Sequence, residues 1–398
     1  MSARLSWPDA VAAVTALRGR LEAEQVPLAD SVDRILVEPI RALTDVPHFA
    51  SAAMDGWAVA GSPPWTVNTE LLMRKLDAGQ ATPIVTGAPI PVGADAVLRS
   101  EHGRVLTDST APRLHPTADL GGVVPHPGHH IRPAGEEARA GEEVFPVGTR
   151  MTPAHVAVAA ACGHDTLSVV RTPRVGLLFT GTEIVEDGIP VAGKVRDSFG
   201  PQFPSLLNRL GAVVQTHQLL GDSAAELRNA LSGELALQCD VVITTGGTGG
   251  SAVDHLHPVL EHLGARLVAD GVKMRPGGPT VIAQLKDGRV FIGLPGNPLA
   301  AMMGFTSFVV PLLTRLRGVP SPVVGSIIVG AALPGRNDTT NLVPYEQTHG
   351  NALPTRWHGS AMMRGLATAD GIIVVPPQGL VAGDRAETLQ LPWGCPAS

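Results

Sequence analysis

Two glycine-rich segments carry residue types that bind phosphate groups in α/β proteins. Residues 240–254 (DVVITTGGTGGSAVD) run from an apolar strand into a glycine turn and end at Asp254, where a helix can begin. Glycine lets the backbone approach a phosphate closely and point its N–H groups at it. Asp254 can cap the helix or hold a metal ion, and a tight strand–helix turn without any ligand is an equal alternative.

Residues 293–298 (GLPGNP) show the same organisation. A strand ends, Asn297 stands at the cap position, and Pro298 takes the first helical position. The N–H groups of such a helix start form an anion site, although a helix cap without a ligand has the same sequence. Two such loops in one sheet favour the ligand-binding interpretation, because open α/β sheets bind ligands at the carboxyl ends of their strands.

Other candidate residues are weaker when each is taken alone. Thr180-Gly181-Thr182-Glu183 follows a third apolar strand and adds a carboxylate to the same edge. Lys273 and Arg275 lie two apart in a strand-like run, so they share a face that could meet an oxyanion or could simply be a solvated edge. Asp55, followed by glycine, is typical of a turn.

Composition and charge exclude several classes of protein. A chain of 398 residues predicts two to four domains, and a net charge of −6 without a basic block disfavours nucleic-acid binding. The three cysteines form no C-x-x-C pair, which disfavours zinc and disulfide frameworks and fits a reducing cytoplasm. The N-terminus lacks an apolar signal core, and the uncharged stretch 291–314 is broken by GLPGNP, so we expect a buried helix and no membrane span.

Hydrophobic periodicity organises the chain into helical and β-rich regions. An amphipathic helix is predicted over residues 5–24, capped by Ser6, and β-type runs fill residues 41–135 and the region after Gly318. Between them, strands alternate with helices, which implies a parallel sheet in a three-layer domain. The predicted strands are 174–180, 240–245 and 289–294, and the predicted helices are 152–161, 201–210, one opened by a Ser223–Glu226 capping box, 254–263 and 298–317.

Taken together, the motifs resemble the molybdopterin molybdenumtransferases of the MoeA and gephyrin E-domain type, over nearly the whole chain. The matching segments are, in order, Asp45-Val46-Pro47, Ala53-Met54-Asp55-Gly56-Trp57-Ala58, Thr86-Gly87-Ala88-Pro89, Gly93-Ala94-Asp95-Ala96-Val97, Ile131-Arg132, Gly135-Glu136, Thr180-Gly181-Thr182-Glu183, Thr244-Thr245-Gly246-Gly247, Asp254, Pro276-Gly277 and Leu294-Pro295-Gly296-Asn297-Pro298. Their shared order and spacing carry the resemblance.

The sequence pattern and the resemblance together predict an α/β and β multidomain protein. We expect a mixed linker and dimerisation domain (residues 1–40 and 136–171), a β-rich domain (41–135), a three-layer α/β/α molybdopterin-binding domain with a mostly parallel sheet (172–318), and a small C-terminal β domain (319–398). The resemblance implies insertion of molybdate into adenylylated molybdopterin with release of AMP, assisted by Mg²⁺. It also implies a homodimer, with other molybdenum cofactor biosynthesis proteins as partners, and the cysteine content predicts a cytoplasmic location.

The site residues are carried over by position from the resemblance. Those with an implied catalytic role are Asp55, Thr86, Glu183, Asp222 and Asp254, of which Asp55, Glu183 and Asp254 are the implied metal ligands. Those implied to bind the cofactor are Thr180, Gly181, Gly246, Gly247, Lys273, Arg275, Pro295, Gly296, Asn297 and Ser360. In dimers of this type Asp55 and Thr86 of one subunit face the α/β domain of the other.

The chain departs from the family pattern at several positions. Ala52 and Phe199 replace polar residues, Glu137 replaces Asp, Thr248-Gly249 replaces Val-Ser, and Gly271 replaces a lysine. The run Thr244–Gly249 resembles the adenylylating domain of the same pathway, so molybdopterin adenylyltransferase-type phosphoryl transfer is an alternative function. A pterin-binding scaffold with impaired catalysis is the other alternative, because it would tolerate the apolar Ala52 and Phe199.

Overall fold

The computed structural model describes residues 4–68, 75–107, 111–117, 124–248, 255–320 and 324–394. The chain divides into two compact units. The small unit is Gln25–Val169, and the large unit joins Met1–Glu24 to Val170–Ser398. The N-terminal segment thus belongs to the unit that is built mainly by the second half of the chain.

The strands of the described residues are β1 Leu5–Ser6, β2 Ala23–Pro27, β3 Ile40–Arg41, β4 Ser51–Ala52, β5 Gly56–Val59, β6 Trp65–Val67, β7 Gln80–Ile84, β8 Ala96–Arg99, β9 Gly103–Leu106, β10 Arg113–Pro116, β11 Ile131–Arg132, β12 Glu143–Phe145, β13 Thr166–Val170, β14 Arg174–Thr180, β15 Ile184–Val185, β16 Val195–Arg196, β17 Val213–Leu220, β18 Val241–Thr245, β19 Arg266–Asp270, β20 Val272–Arg275, β21 Val281–Gln284, β22 Val290–Leu294, β23 Gly325–Val329, β24 Leu333–Pro334, β25 Thr340–Thr348, β26 Asn351–Pro354, β27 Gly371–Val375, β28 Gly379–Leu380 and β29 Arg385–Leu389. The α-helices are α1 Trp7–Ala16, α2 Pro153–Ala161, α3 Phe203–Arg209, α4 Ala224–Ser232, α5 Glu234–Leu237, α6 Leu256–His262, α7 Pro298–Gly304, α8 Val310–Arg317 and α9 Arg364–Ala367.

A six-stranded sheet in the order β8-β5-β7-β6-β10-β9 is the largest sheet of the small unit. Neighbouring strands are antiparallel except β6 and β7, which run parallel. Trp65, Leu98 and Leu114 are buried in one core cluster against this sheet. The prediction of a β-rich N-terminal region is therefore confirmed.

A second six-stranded sheet, β17-β14-β18-β22-β21-β19, forms the centre of the α/β part of the large unit. Its first four strands are parallel, and β21 and β19 join antiparallel. On β14, Leu178 packs in a cluster with Leu227 of α4 and Leu260 of α6, whereas the ring of Phe179 contacts Phe203 of α3. Because adjacent residues of a strand face opposite sides, helices cover both faces, and the three-layer prediction is confirmed.

The third large sheet has the order β1-β20-β25-β26-β23-β29-β27, and an added β25–β27 pairing closes its last five strands into a barrel. β20 pairs in parallel with β1 and with β25. Lys273 and Arg275 therefore lie on the sheet of the C-terminal barrel, although the alternating pattern of strands and helices around them belongs to the α/β region.

The N-terminal helix is shorter than the predicted range 5–24. The Ser6 hydroxyl caps α1 by accepting a hydrogen bond from the Asp9 N–H, as expected, but the helix ends at Ala16. Beyond it, the Leu21 N–H donates to the Leu316 carbonyl, at 2.9 Å. The last carbonyls of a helix lack partners within that helix, so this tertiary bond replaces the predicted further turns.

The predicted helix 298–317 is continuous but irregular. A π-helical turn, Phe305–Val309, separates α7 from α8 just before Pro311. Proline lacks an N–H and its ring clashes with the carbonyl four residues earlier, so a widened turn relieves the strain there. The segment Pro298–Arg317 is long and apolar enough to cross a membrane, yet 78% of its most apolar window is buried in protein, as expected of a core helix.

Candidate functional site

Three loops meet where the parallel strands β14, β18 and β22 end. Strand register places Phe179 beside Thr245, and Thr245 beside Leu294, so the loops that follow these strands emerge at one edge of the sheet. They surround a cavity of about 660 Å³. The predicted residues that line this cavity are Thr180, Glu183, Gly246, Gly247, Pro295, Gly296 and Asn297.

Close backbone packing shapes the floor of this cavity. Gly246 has φ +86°, and a Cβ added there would lie 2.8 Å from the Thr180 carbonyl oxygen. The Thr180 hydroxyl donates to the Thr245 carbonyl at 2.9 Å, whereas the buried hydroxyls of Thr244 and Thr245 have no hydrogen-bond partner in the described part of the chain. Glycine at position 246 is therefore required sterically, and unsatisfied hydroxyls remain at the strand ends for a polar ligand.

Asp222 holds the Thr182 loop in place. Its carboxylate accepts hydrogen bonds from the Thr182 N–H at 3.1 Å and from the Thr182 hydroxyl at 2.7 Å. Lys194 donates from its Nζ to the Thr182 carbonyl at 2.7 Å. These contacts leave the side chain of the next residue, Glu183, exposed at the cavity, with its carboxylate against Gly181.

The predicted capping box at Ser223 is only half formed. The Ser223 hydroxyl accepts from the Glu226 N–H at 3.4 Å, as expected. The Glu226 carboxylate, however, accepts from the Gly221 N–H at 2.8 Å instead of closing the box on Ser223. Glu226 thus braces the turn that carries Asp222, and Asp222 itself is a loop-positioning residue.

Asn297 occupies the N-cap position of α7 without capping it through its side chain. Its amide lies 3.5 Å from the Ser360 hydroxyl, and the Ser360 carbonyl accepts from the Ala300 N–H at 3.0 Å. The expected set of helix-start N–H groups for an anion is therefore reduced, because Ser360 satisfies one of them. This contact also brings Ser360 to the edge of the α/β sheet.

The two predicted cations lie away from the strand-end cavity. Lys273 forms a 2.6 Å ion pair with Asp338. Arg275 lines a second cavity, of about 480 Å³, together with Ser360, Arg336 and the buried Asn341, whose Oδ1 has no hydrogen-bond partner among the described residues. Of the two cations, Arg275 is thus the one that lines this second cavity.

In the small unit, Asp55 and Thr86 are adjacent. The Thr86 N–H donates to the Asp55 carboxylate at 2.7 Å across 31 positions of sequence. Hydrogen bonds from the Thr86 backbone and then from its hydroxyl lower the pKa of Asp55 below its ordinary value. Asp55 is exposed, so it presents an ionised carboxylate at the surface of this unit.

The predicted metal ligands divide among different parts of the chain. Asp55 belongs to the small unit and Glu183 to the large unit, while Asp254 lies outside the described residues. Within the described ranges, no group of three or more His, Cys, Asp and Glu side chains forms a ready-made metal site. A metal ion held mainly by water and substrate phosphates, as Mg²⁺ is, needs only one or two carboxylates, and exposed Glu183 meets that requirement.

Sequence reasoning missed two charged residues in the strand-end cavity, Arg196 and Asp197. Asp197 accepts hydrogen bonds from the Phe199 and Gly200 N–H groups, at 2.8 and 3.0 Å, and so shapes a turn. The only signal in the sequence was their position just before Phe199, where the family has a polar residue. The parallel pairing of β15 and β16, which places Arg196 and Asp197 there, has no distinctive sequence pattern.

Phe199, where the family has a polar residue, is a core residue here. It is 5% exposed, and its ring centroid lies 5.9 Å from that of Phe179 and 5.3 Å from that of Phe203. The departure is therefore explained by aromatic packing beneath the cavity.

Three family models match the chain in order. The MoeA N-terminal region (domain I and II) matches residues 5–163, the probable molybdopterin binding domain matches residues 176–315, and the MoeA C-terminal region (domain IV) matches residues 331–391. The breaks between them fall near the ends of the α/β region.

Proteins and a solved structure resemble the chain over most of its length. It is 31% identical to the molybdopterin molybdenumtransferase of Bacillus subtilis, over 92% of this chain and 89% of that protein. The protein of the same name from Staphylococcus epidermidis is 28% identical, over 91% of this chain and 90% of its own. The crystal structure of a MoeA molybdopterin biosynthesis protein from Pyrococcus horikoshii matches with a TM-score of 0.76 at 26% identity, covering 98% and 99% of the two chains. The chain belongs to the MoeA family of molybdopterin molybdenumtransferases.

Proposed function

We propose that this molybdopterin molybdenumtransferase binds adenylylated molybdopterin at the strand ends of its α/β sheet and releases AMP when molybdate is inserted. One observation carries the proposal: the loops after β14, β18 and β22 line a single cavity of about 660 Å³. Ligands of open α/β sheets bind at this edge, and this volume is in the range of small-molecule sites. Membership of the family supplies the chemistry.

The phosphates of the substrate lie against the glycine turns in this proposal. Gly246 and Gly247 have positive φ, and Gly296 lies close to Gly246 across the cavity floor. Backbone without side chains lets phosphate oxygens approach N–H groups directly. Thr180 and Gly181 complete the cradle, and the unsatisfied Thr245 hydroxyl adds a donor.

Molybdate occupies the second cavity in this proposal. Arg275 and Arg336 line it, and a guanidinium is a weakly hydrated cation that binds oxyanions through paired N–H groups. Ser360 lies next to both cavities, since it lines the second cavity and contacts Asn297, which lines the strand-end cavity. In this proposal Ser360 links the position of the oxyanion to that of the pterin.

Mg²⁺ fits the carboxylates that are present. Glu183 and Asp55 are its proposed ligands, with Asp254 as a further predicted one, and Asp222 acts by holding the Thr182 loop. When bound, Mg²⁺ neutralises phosphate charge and favours P–O cleavage. The protein itself orients the phosphates, and the lowered pKa of Asp55 favours the ionised form of that carboxylate.

Incubation of the purified protein with adenylylated molybdopterin, molybdate and Mg²⁺ tests the activity. We expect AMP and molybdenum-bound pterin to appear together, and only when molybdate is present. Glu183→Gln should slow AMP release at least about tenfold, since a ligand charge is lost. Glu186→Gln, an exposed neighbour outside the cavity lining, is the matched control and should behave as wild type.

Two other results would replace the proposal. Tight pterin binding without AMP release would identify a scaffold. Consumption of ATP with molybdopterin that is not adenylylated would identify an adenylyltransferase.

We further propose a cytoplasmic homodimer in which Asp55 of one subunit completes the α/β site of its partner. The free thiols of Cys162 and Cys239 suit a reducing compartment. Asp55→Ala and Glu183→Gln should each release AMP at least about tenfold more slowly than wild type, yet mixed dimers of the two variants should regain activity, because one site then has both wild-type residues. If each site were formed within one subunit, mixing would restore nothing.

A further inference from the structure

Arg196 lines the strand-end cavity from a short strand whose backbone is held by hydrogen bonds. β15 and β16 pair in parallel, with Val185 opposite Arg196. The Val195 N–H donates to the Glu183 carbonyl and the Asp197 N–H donates to the Val185 carbonyl, both at 2.9 Å. The main chain is therefore hydrogen-bonded on each side of Arg196.

Arg196 is the single basic side chain among the described residues that line this cavity, beside the carboxylates Glu183 and Asp197. The two cations predicted from sequence do not line it, since Lys273 pairs with Asp338 and Arg275 lines the other cavity. Among the described residues that line the cavity, Arg196 is therefore the source of the positive charge that a polyanionic ligand needs.

The present ion pair of Arg196 is easily exchanged. Its guanidinium lies 3.8 Å from the Asp187 carboxylate, beyond hydrogen-bond distance, and the Asp187 side chain is fully exposed. Exposed pairs of this kind contribute little to stability. The neighbouring Asp197 carboxylate is held by the Phe199 and Gly200 N–H groups, which both donate to its Oδ1.

We propose that Arg196 binds the diphosphate of the adenylylated pterin, replacing its contact with Asp187. Adenylylation joins two phosphates, and a guanidinium can donate two parallel hydrogen bonds to adjacent phosphate oxygens. Arg196 is thereby a substrate-binding residue that opposes the repulsion between the diphosphate and Glu183. This inference rests on the proposed function for the identity of the substrate, but the binding of diphosphate by Arg196 can be measured without turnover.

Inorganic pyrophosphate is the probe, titrated calorimetrically into the full-length protein in the presence of Mg²⁺. Arg196→Gln should weaken its binding about tenfold or more, and Arg196→Lys should recover part of the loss, because lysine supplies charge without the paired donors. Arg174→Gln is the matched control: Arg174 is exposed at the opposite end of β14, away from the cavity, and should leave the affinity unchanged. The wild-type affinity should also fall with salt more steeply than that of Arg196→Gln.

Wild-type pyrophosphate affinity in Arg196→Gln would overturn the inference, as would an equal loss in Arg174→Gln. The proposed function fails separately. If pyrophosphate binds through Arg196 but no molybdate-dependent AMP release occurs, the binding role stands and the reaction is wrong. If AMP is released and Arg196→Gln has the wild-type KM, the reaction stands and the role of Arg196 is wrong.

Discussion

The Asp222 carboxylate accepts hydrogen bonds from both the N–H and the hydroxyl of Thr182, forty positions earlier in the chain. The residue after Thr182 in the same loop is Glu183, which lines the strand-end cavity. A residue that touches only the loop thus sets the position of a proposed metal ligand.

Asp222→Ala should raise the KM for the adenylylated pterin and speed amide exchange of residues 181–183, because both loop contacts are lost. Two hydrogen bonds to a charged group predict a change of about tenfold or more. Asp222→Asn should recover part of it, since an amide oxygen still accepts from the Thr182 hydroxyl. Wild-type exchange in Asp222→Ala would show that the loop is held by other contacts.

Gly246→Ala should destroy pyrophosphate binding and lower the melting temperature more than Gly188→Ala does. Both glycines have positive φ, +86° and +74°, so both substitutions share a backbone strain of about 1–2 kcal/mol. Only Gly246 has a close neighbour, the Thr180 carbonyl at 2.8 Å from an added Cβ, whereas Gly188 has nothing within 4 Å. Equal effects in the two variants would mean that the close approach at Gly246 is unimportant.

Thr86→Val should raise the pKa of Asp55 only partway toward its ordinary value. The backbone N–H, which is the larger cause of the lowered pKa, is retained, and the hydroxyl, the smaller cause, is removed. A carboxyl NMR titration measures the change, with Thr149→Val in the same unit as the control. A lower or unchanged pKa in Thr86→Val would contradict the assignment.

The sign of the pH dependence follows from the same contact. The pKa of Asp55 is lower in the folded protein than in the unfolded chain, so its contribution to stability is complete above the unfolded pKa. That contribution is lost as pH falls through the folded pKa. Near neutral pH, Asp55 should therefore stay ionised and should not contribute to the pH dependence of turnover. If the turnover rate falls to half as the pH changes near neutrality, the titration of another group must be the cause.

Asp240→Asn should destabilise the large unit by about 3 kcal/mol, because it removes the charge of a buried carboxylate that pairs with two part-buried arginines. The Asp240 side chain is 4% exposed and accepts from Arg171 at 2.8 and 2.9 Å, beside Arg18 at 3.0 Å. Urea unfolding followed by circular dichroism measures the loss. Asp77→Asn, which breaks the exposed Lys75–Asp77 pair, should cost less than about 1 kcal/mol, and a similar cost for both would refute this account.

Elements that depend on near neighbours agree well with their sequence signals. The Thr152 cap of α2 and the three strands that end at the cavity lie within a residue or two of their predicted positions. Caps bond within a single turn, and buried strands need only a run of apolar residues, so both are visible in a short window. The fold class followed from these elements.

Contacts between residues that are distant in sequence were not predicted. Asn297 has the cap position without the capping bond, because Ser360 arrives from the C-terminal region. Residues 17–24 left the predicted helix because Leu21 pairs with Leu316. In each case a tertiary hydrogen bond outweighed a local preference, which amounts to tenths of a kcal/mol per residue for most residue types.

By itself, the sequence determined that three strand ends with glycine turns exist, and its motif order determined the family. Only the tertiary structure decided how the described charges are distributed around them: Lys273 is neutralised by Asp338, Asp222 is bound to Thr182, and Arg196 is at the cavity. The physical reason is range. Glycine turns and apolar runs act through adjacent residues, whereas the availability of a charge depends on which distant partner the fold brings within a few ångströms.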